Sequence, residues 1–285
     1  MKILVTGASG FIGSNIMRCL NDKGHIVYGC GRKHIDPPNS KYVICNLTRD
    51  LPDLKPDVII HAAAVSPSAN VTFNDYFSNN VMATQNILEY AKLNNVKRMI
   101  FLGAVSSYGR VDGVLREDSP HNDPDDYGLT KYMAEQLIRN SKIPHYILIL
   151  PGVVGKGCRD NWIMKAAGKI YNDQQFNYYN GAGLFNNILE IEDLCEFIVR
   201  LLETETERSE TYLLGAEEKI SVEELLGYLR SRLSSSSQLC DISGSRNSFY
   251  LDISKALSAG FESKSILEIL NIVCNEVLWR GEKMI

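Results

Sequence analysis

Tyr127 and Lys131 stand four residues apart, at the head of a stretch whose apolar spacing predicts a helix over residues 127–140. Positions i and i+4 share a helix face, so the phenol and the ammonium point the same way. A neighbouring cation lowers a tyrosine's pKa and fits it for proton transfer near neutral pH. Taken alone, that spacing is equally a surface pair. It gains meaning from the start of the chain, Thr6-Gly7-Ala8-Ser9-Gly10-Phe11-Ile12-Gly13, with glycines at G-x-x-G-x-x-G. Gly7 permits a tight turn, Gly10 lets the backbone approach a pyrophosphate, and Gly13 lets helix and strand pack closely. The amides and positive dipole end of the helix that follows favour phosphates. A strand before the motif, a helix after it and a second strand from residue 26 make it a dinucleotide loop, not a purely structural turn.

The elements that must position these groups alternate regularly through the first half. Strands are expected at residues 2–5, 27–30, 42–45, 58–60, 99–102 and 146–150, with helices over 10–22, 75–94 and 127–140. The first helix has Ile12, Ile16, Cys19 and Leu20 on its apolar face. Apolar strands alternating with amphipathic helices define an α/β fold with a doubly wound parallel Rossmann sheet. Ligands of such sheets gather at the carboxyl ends of the strands. After Pro151 the pattern loosens into a glycine-rich turn, a helix over 161–170 and a polar aromatic loop over 176–187. Glu192 and Asp193 open another helix, Ser221 with Glu224 forms a capping box, and a last helix covers 263–277. Ser234 to Ser237 reads as a solvated linker. The expected organisation is a dinucleotide-binding domain over 1–150 and a smaller substrate-binding cap over 151–285, with a boundary that allows interleaving.

Composition narrows the function. The 285 residues are 45% hydrophobic and 22% charged, enough for a full core. A net charge of −4 argues against nucleic-acid binding. Cys19, Cys30, Cys45, Cys158, Cys195, Cys240 and Cys274 include no C-x-x-C pair. They read as buried thiols of a reducing compartment, without a zinc site. No apolar run reaches the roughly 18 residues that span a bilayer, and a strand starting at residue 2 leaves no room for a signal peptide. A cytoplasmic protein that binds neither membrane nor metal is expected.

These motifs together resemble the extended short-chain dehydrogenase/reductase family of nucleotide-sugar epimerases, dehydratases and ketoreductases. The likeness extends over nearly the whole chain. Residues 6–13 are similar to the family's cofactor loop, and His61-Ala62-Ala63 to its H-x-A-A after strand four. Asn80-Val81 with Thr84-Gln85-Asn86 resembles the helix bracing the active site, residues 188–193 the start of the cap, and residues 251–255 with Gly260-Phe261 its ending. The resemblance implies that Tyr127 exchanges the proton of a substrate hydroxyl. It implies that Lys131 holds the nicotinamide ribose and depresses the tyrosine pKa. The cofactor would lie along Gly7, Ser9, Gly10, Phe11, Ile12, Gly13, Arg32, Lys33, Asn46, Leu47, Ala62, Ala63, Ala64, Asn80, Tyr127, Lys131, Pro151 and Val154.

The chain departs from that pattern at three places. Ala104 stands where the family has a Ser or Thr that holds the substrate oxygen, leaving Ser106 as the candidate substitute and Ser107 beside it. Val153 replaces a common substrate-binding Asn. Asn46 replaces an Asp beside the adenine, keeping an amide that can accept a hydrogen bond. At the end of strand two, Gly31-Arg32-Lys33-His34 stands where an NAD enzyme has a carboxylate for the ribose 2′-hydroxyl. Glycine makes room and the cations face a 2′-phosphate, so NADP is expected, with NAD the alternative. The resulting expectation is an NADPH-dependent reductase of a nucleotide-activated keto-sugar, in an assembly that can be a homodimer. A 4-epimerase is the alternative, and a non-catalytic NADP-binding regulator or structural subunit the alternative of another class. Tyr178, Tyr179 and Phe185 are weighed as a stacking surface for base or sugar, against packing within their loop.

Overall fold

The structure is a computed structural model that describes residues 1–33, 41–158, 161–204, 208–242 and 248–282. In chain order, strand β1 (Lys2–Thr6) is followed by helix α1 (Phe11–Asp22) and strands β2 (Ile26–Gly31), β3 (Lys41–Ile44) and β4 (Val58–His61). Helix α2 (Phe73–Tyr76) runs through a π-helical turn (Phe77–Met82) into α3 (Ala83–Leu93). Strand β5 (Arg98–Ala104) ends in a 3-10 turn (Val105–Tyr108), and β6 (Gly113–Leu115), α4 (Asp126–Arg139) and β7 (His145–Leu150) follow. Next come β8 (Gly152–Val154), α5 (Trp162–Tyr171), β9 (Phe176–Tyr178), β10 (Leu184–Phe185), β11 (Ile188–Glu190), α6 (Ile191–Glu203) and β12 (Glu210–Leu213). The chain closes with β13 (Ile220–Ser221), α7 (Val222–Arg232), β14 (Leu239–Asp241), β15 (Phe249–Leu251), α8 (Ser254–Ser258) and α9 (Ile266–Glu282).

The chain forms two compact units that interleave. The first comprises Met1–Gly109, Pro120–Ile149 and Cys195–Tyr212, and the second Arg110–Ser119, Leu150–Leu194 and Leu213–Ile285. The boundary read from the sequence at 150 falls one residue from a division, but segments 110–119 and 195–212 lie on the other side of it.

The first unit is built on a seven-stranded sheet in the order β12-β7-β5-β4-β1-β2-β3. Strand β1 runs parallel to β2 and β4, β2 to β3, and β4 to β5. Every residue of β4 and β7 is buried, as a strand covered on both faces requires. Helix α1 buries Ile16, Met17, Cys19 and Leu20. Gly29 on β2 lets this helix approach, since a Cβ there would lie 2.4 Å from Met17 Sδ.

The second unit holds short strand pairs. Strands β8 and β11, β9 and β14, and β6 and β15 are parallel, while β10 and β13 are antiparallel. The fully buried Asn186 ties them, donating to the carbonyls of Ala216 (2.9 Å) and Leu251 (3.0 Å) and accepting from Leu251 N–H (2.7 Å). Three expectations change here. Residues 176–187 contain β9 and β10 instead of forming one loop. Ser234–Ser237 is not a solvated linker, because Ser237 is buried and donates to the Ile170 carbonyl at 3.0 Å. Helix α9 starts at Ile266, after Ser265 accepts a cap bond from Glu268 N–H at 3.3 Å. Among the described residues, no helix is long and apolar enough to cross a membrane.

Candidate active site

The strand order reverses direction between β1 and β4, where open α/β sheets bind ligands. The turns leaving these strands nearly touch. Gly7 has φ +67°, and a Cβ on it would lie 2.7 Å from Ala63 Cα, so a glycine must face the Ala62-Ala63-Ala64 turn. A Cβ on Gly13 would lie 2.3 Å from the Gly7 carbonyl oxygen. Gly10 caps α1 with its backbone only, and no side chain bonds the first-turn amides. By contrast α2, α4, α5 and α7 are capped by Thr72, Asp125, Asn161 and Ser221. A glycine cradle below an uncapped helix start fits the pyrophosphate of a dinucleotide. Ser9 and Gly10 are exposed there, with Phe11 and Ile12 half-buried.

A hydrogen-bonded chain runs from this cradle to the helix carrying Tyr127. Ala63 N–H donates to Thr6 Oγ1 at 3.1 Å, and that hydroxyl meets His61 Nδ1 at 2.7 Å. His61 Nε2 meets Thr84 Oγ1 at 3.0 Å, and Thr84 donates to the Asn80 carbonyl at 2.6 Å. Because Thr84's proton goes to Asn80, the proton of the imidazole sits on Nε2, and Nδ1 accepts from Thr6. Burial pushes His61 down to about 3, and the Lys131 charge adds to the effect, so the ring is neutral. Asn80, also buried, accepts from Val65 N–H at 2.8 Å and donates to Thr130 Oγ1 at 3.1 Å. Thr130 in turn donates to the Tyr127 carbonyl at 2.9 Å. Asn80 lies inside the π-helical turn, a geometry frequent at functional sites. The sequence pointed to His61 and Asn80. Thr6 and Thr84 stood in the quoted motifs, but their meeting at His61, and the part of Thr130, carried no signal until the strands brought them together.

Helix α4 starts at the turn leaving β5. Asp125 caps the helix by accepting from Gly128 N–H at 2.7 Å. Gly128 is needed because a Cβ there would lie 2.1 Å from the Ser106 carbonyl oxygen. Tyr127 and Ser106 therefore belong to segments in backbone contact. Ala104 is buried at the end of β5, and the hydroxyls of Ser106 and Ser107 are buried without a hydrogen-bond partner. An unpartnered buried hydroxyl costs about 1–3 kcal/mol. His121 Nδ1 braces the turn at 2.7 Å from the Ser107 carbonyl, its ring stacked on Tyr108.

The electrostatics of the pair differ from the sequence expectation. Lys131 is buried, donates to the Leu102 carbonyl at 2.6 Å and stands 4.4 Å from the centre of the Phe101 ring. Burial lowers it to about 8, partly opposed by Glu135. Tyr127 is pushed up to about 12 by burial first and the Asp125 charge second, with Tyr76 packed edge-on at 5.8 Å. The expected depression of the tyrosine pKa is reversed here, because burial and the Asp125 charge both disfavour the phenolate.

At the end of β2, Arg32 and Lys33 are exposed, and Arg32 donates to Asn79 Oδ1 at 3.1 Å. His34 lies outside the described residues. Asn46 spends its side-chain oxygen on Thr48 N–H (3.1 Å) and Thr48 Oγ1 (2.9 Å), not on a free acceptor position as expected. The neighbouring Leu47 is buried, and its carbonyl accepts from Asn86 at 2.9 Å. Pro151 and Val154 belong to the second unit, beside Val153, whose carbonyl accepts from Asn161 at 2.9 Å. Tyr178 is buried, and the half-buried Phe185 lies 5.7 Å from the ring of the exposed Trp162, within the second unit. Among the described residues, no group of His, Cys, Asp or Glu could hold a metal ion.

Comparison with known proteins agrees with this geometry. Residues 3–215 match the NAD dependent epimerase/dehydratase family, and the chain belongs to it. A Bacillus subtilis relative, the uncharacterized UDP-glucose epimerase YtcB, is 29% identical over 90% of each chain. GDP-6-deoxy-D-talose 4-dehydrogenase of Aggregatibacter actinomycetemcomitans is 26% identical over 71% of this chain and 70% of its own. The crystal structure of UDP-glucuronic acid 4-epimerase from Bacillus cereus in complex with NAD superposes with a TM-score of 0.84. It is 25% identical, over 98% of this chain and 99% of that one.

Proposed function

We propose, with membership of the NAD dependent epimerase/dehydratase family as the premise, that this chain is a nucleotide-sugar 4-epimerase. The observation that carries the reading is the unbroken hydrogen-bonded chain from the Gly7–Ala63 cradle to the backbone of Tyr127. It fixes a dinucleotide-shaped turn and a proton-transfer group on one scaffold. The 4-epimerase and 4-dehydrogenase relatives support C4 as the reacting carbon. In this reading the first unit holds the dinucleotide and the second the sugar nucleotide.

The nicotinamide, when bound, exchanges hydride with the sugar carbon. The residues of the chain do the rest. Tyr127 Oη takes the sugar hydroxyl proton as the carbonyl forms and returns it as the hydroxyl is restored. A phenol at about 12 holds its proton at neutral pH, so Tyr127 must release that proton to solvent before it can take the sugar's, and an approaching cation lowers its pKa by stabilising the phenolate. Lys131, at about 8 and on the same helix, is the group able to supply that charge. Ser106 offers its unpartnered hydroxyl to the sugar oxygen that Ala104 cannot reach.

A second reading, NADPH-dependent reduction of a keto-sugar, is favoured by Gly31 and Arg32 at the ribose position. Incubation with UDP- and GDP-sugars, followed by NMR, separates the readings. Epimer without net cofactor consumption supports the first, and reduced product with stoichiometric NADPH loss the second. Bound cofactor with no conversion of any sugar nucleotide would point to a non-catalytic regulator. Arg32→Ala tests the cofactor half, with an expected loss of about 1.5–3 kcal/mol in NADPH binding and none in NADH binding by calorimetry. Equal wild-type affinities would exclude an NADP preference. Seven cysteines, none of them in a disulfide among the described residues, support a reducing, cytoplasmic setting.

A further inference from the structure

The carboxyl end of β2 is where this fold meets the adenosine ribose of a dinucleotide, and Gly31 stands there without a side chain. Its backbone does not call for glycine, because its φ is not positive. Space does. A Cβ on Gly31 would lie 2.6 Å from Tyr42 Oη and 3.2 Å from Ser9 Oγ. Tyr42 reaches in from β3, where it pairs with Gly29. Its hydroxyl donates to the Lys33 carbonyl at 2.7 Å, and the Ser9 side chain lies beside the phenol oxygen. Burial raises the Tyr42 pKa from its ordinary value, partly opposed by Ser9, which lowers it, so the group stays neutral at physiological pH.

We propose that Gly31 and Tyr42 are a matched pair, in which the phenol occupies the space a carboxylate at residue 31 would need and so keeps the ribose wall free of negative charge. Tyr42 is then a specificity-determining residue that acts by exclusion. A 2′-phosphate meets a neutral phenol and the Arg32 fork, not an anion. An acidic residue placed at 31 cannot be seated while the hydroxyl of Tyr42 is present. Removing that hydroxyl relieves the shorter contact, because the next ring atom, Tyr42 Cζ, is 3.8 Å from the Cβ position. It leaves only the hydroxyl of the exposed Ser9 at 3.2 Å, which can turn aside. The proposal rests on the reading that a dinucleotide lies along the β1–α1 turn.

The test is a double-mutant cycle with two readouts. In thermal unfolding without cofactor, Gly31→Ala should lower Tm by about 3 °C or more, and Gly31→Ala with Tyr42→Phe should restore most of it. In calorimetry with NADPH and NADH, Gly31→Asp alone should weaken NADPH without strengthening NADH. Gly31→Asp with Tyr42→Phe should bind NADH at least about tenfold more tightly than wild type, a non-additive gain. An unrescued Gly31→Ala, or a single Gly31→Asp that gains NADH as fully as the double variant, overturns the pair. Thermal rescue without any NADH gain in the double variant overturns its role in cofactor choice. Wild-type protein that binds neither dinucleotide overturns the cofactor reading beneath the proposal, and the thermal cycle still reports on the packing separately.

Discussion

The turns that leave β1 and β5 treat their polar groups in opposite ways. After β1 the side chains are satisfied: Thr6 is bonded to His61 and Ala63, while the start of α1 presents backbone amides that no side chain caps. After β5 the backbone is satisfied, with Ser106, Ser107 and Tyr108 carbonyls accepting from Gly109, His121 and Asn122. There the side-chain hydroxyls of Ser106 and Ser107 are left over. Backbone donors bind any phosphate in reach and do not depend on residue type beyond glycine. Side-chain hydroxyls are specific and can be lost to a single substitution, as Ala104 illustrates. In the proposed reading, one turn holds and the other acts.

Four measurements break or sharpen that contrast. The largest effect is expected from Tyr127→Phe, which should cut turnover by roughly 10²–10⁴ while calorimetric cofactor affinity stays the same. Undiminished turnover would move the chemistry away from the β5 side. Next comes the scaffold between the turns. Folded His61 lies near 3 against an ordinary 6.5, so between those values the folded protein binds fewer protons than the unfolded chain. Its contribution to stability is whole above pH 6.5 and drains away as pH falls towards 3. Urea unfolding across that window should show a slope approaching about 1.4 kcal/mol per pH unit, flattened in His61→Gln. An identical slope in the variant would place the acid sensitivity elsewhere.

The β1 turn is broken by Gly13→Ala. The added carbon meets a backbone carbonyl at 2.3 Å, which cannot swing aside. Dinucleotide affinity should fall by more than about tenfold, in keeping with an overpacking cost of about 1–3 kcal/mol. Unchanged affinity and Tm would show that the cradle is looser than its geometry. The smallest effect concerns the β5 turn. If Ser106 replaces the missing hydroxyl at 104, Ser106→Ala should lower turnover about tenfold, about 1.4 kcal/mol, and Ala104→Ser should add little. The reverse pattern, a faster Ala104→Ser and a silent Ser106→Ala, would leave the β5 turn with no acting hydroxyl.

Much of this was legible in the sequence because its causes are local. Val58 to Ile60 and Tyr146 to Leu150 announce strands buried on both faces, and Gly7, Gly10 and Gly13 announce the turn that needs them. Tyr127 and Lys131 were visible as a spaced pair, but the direction of the Tyr127 shift was not. It depends on burial, on the charge of Asp125 turning back to cap α4, and on Tyr76 beside the ring. Those are facts of packing, not of spacing. Asn46 read as an acceptor until Thr48 folded over it, and Ser237 read as solvated until α5 supplied the Ile170 carbonyl. Tyr42 carried no signal at all, since its partner Gly31 lies on another strand.

The π-helical turn Phe77–Met82 has a consequence for chain length. It holds the helix from Phe73 to Leu93 slightly out of α-helical count, with its start pinned by the Thr72–Asp75 capping box. Deleting one residue within the turn would let the ladder close as an ordinary α-helix. The segments on either side would keep their facing, since the π-helical turn is what absorbs the extra residue, but the positions within the turn would shift. Asn80 could no longer serve Val65 and Thr130 together. The brace can therefore be undone by arithmetic alone, with Thr84, Thr130 and Tyr127 still in place and only Asn80 moved out of reach of its partners.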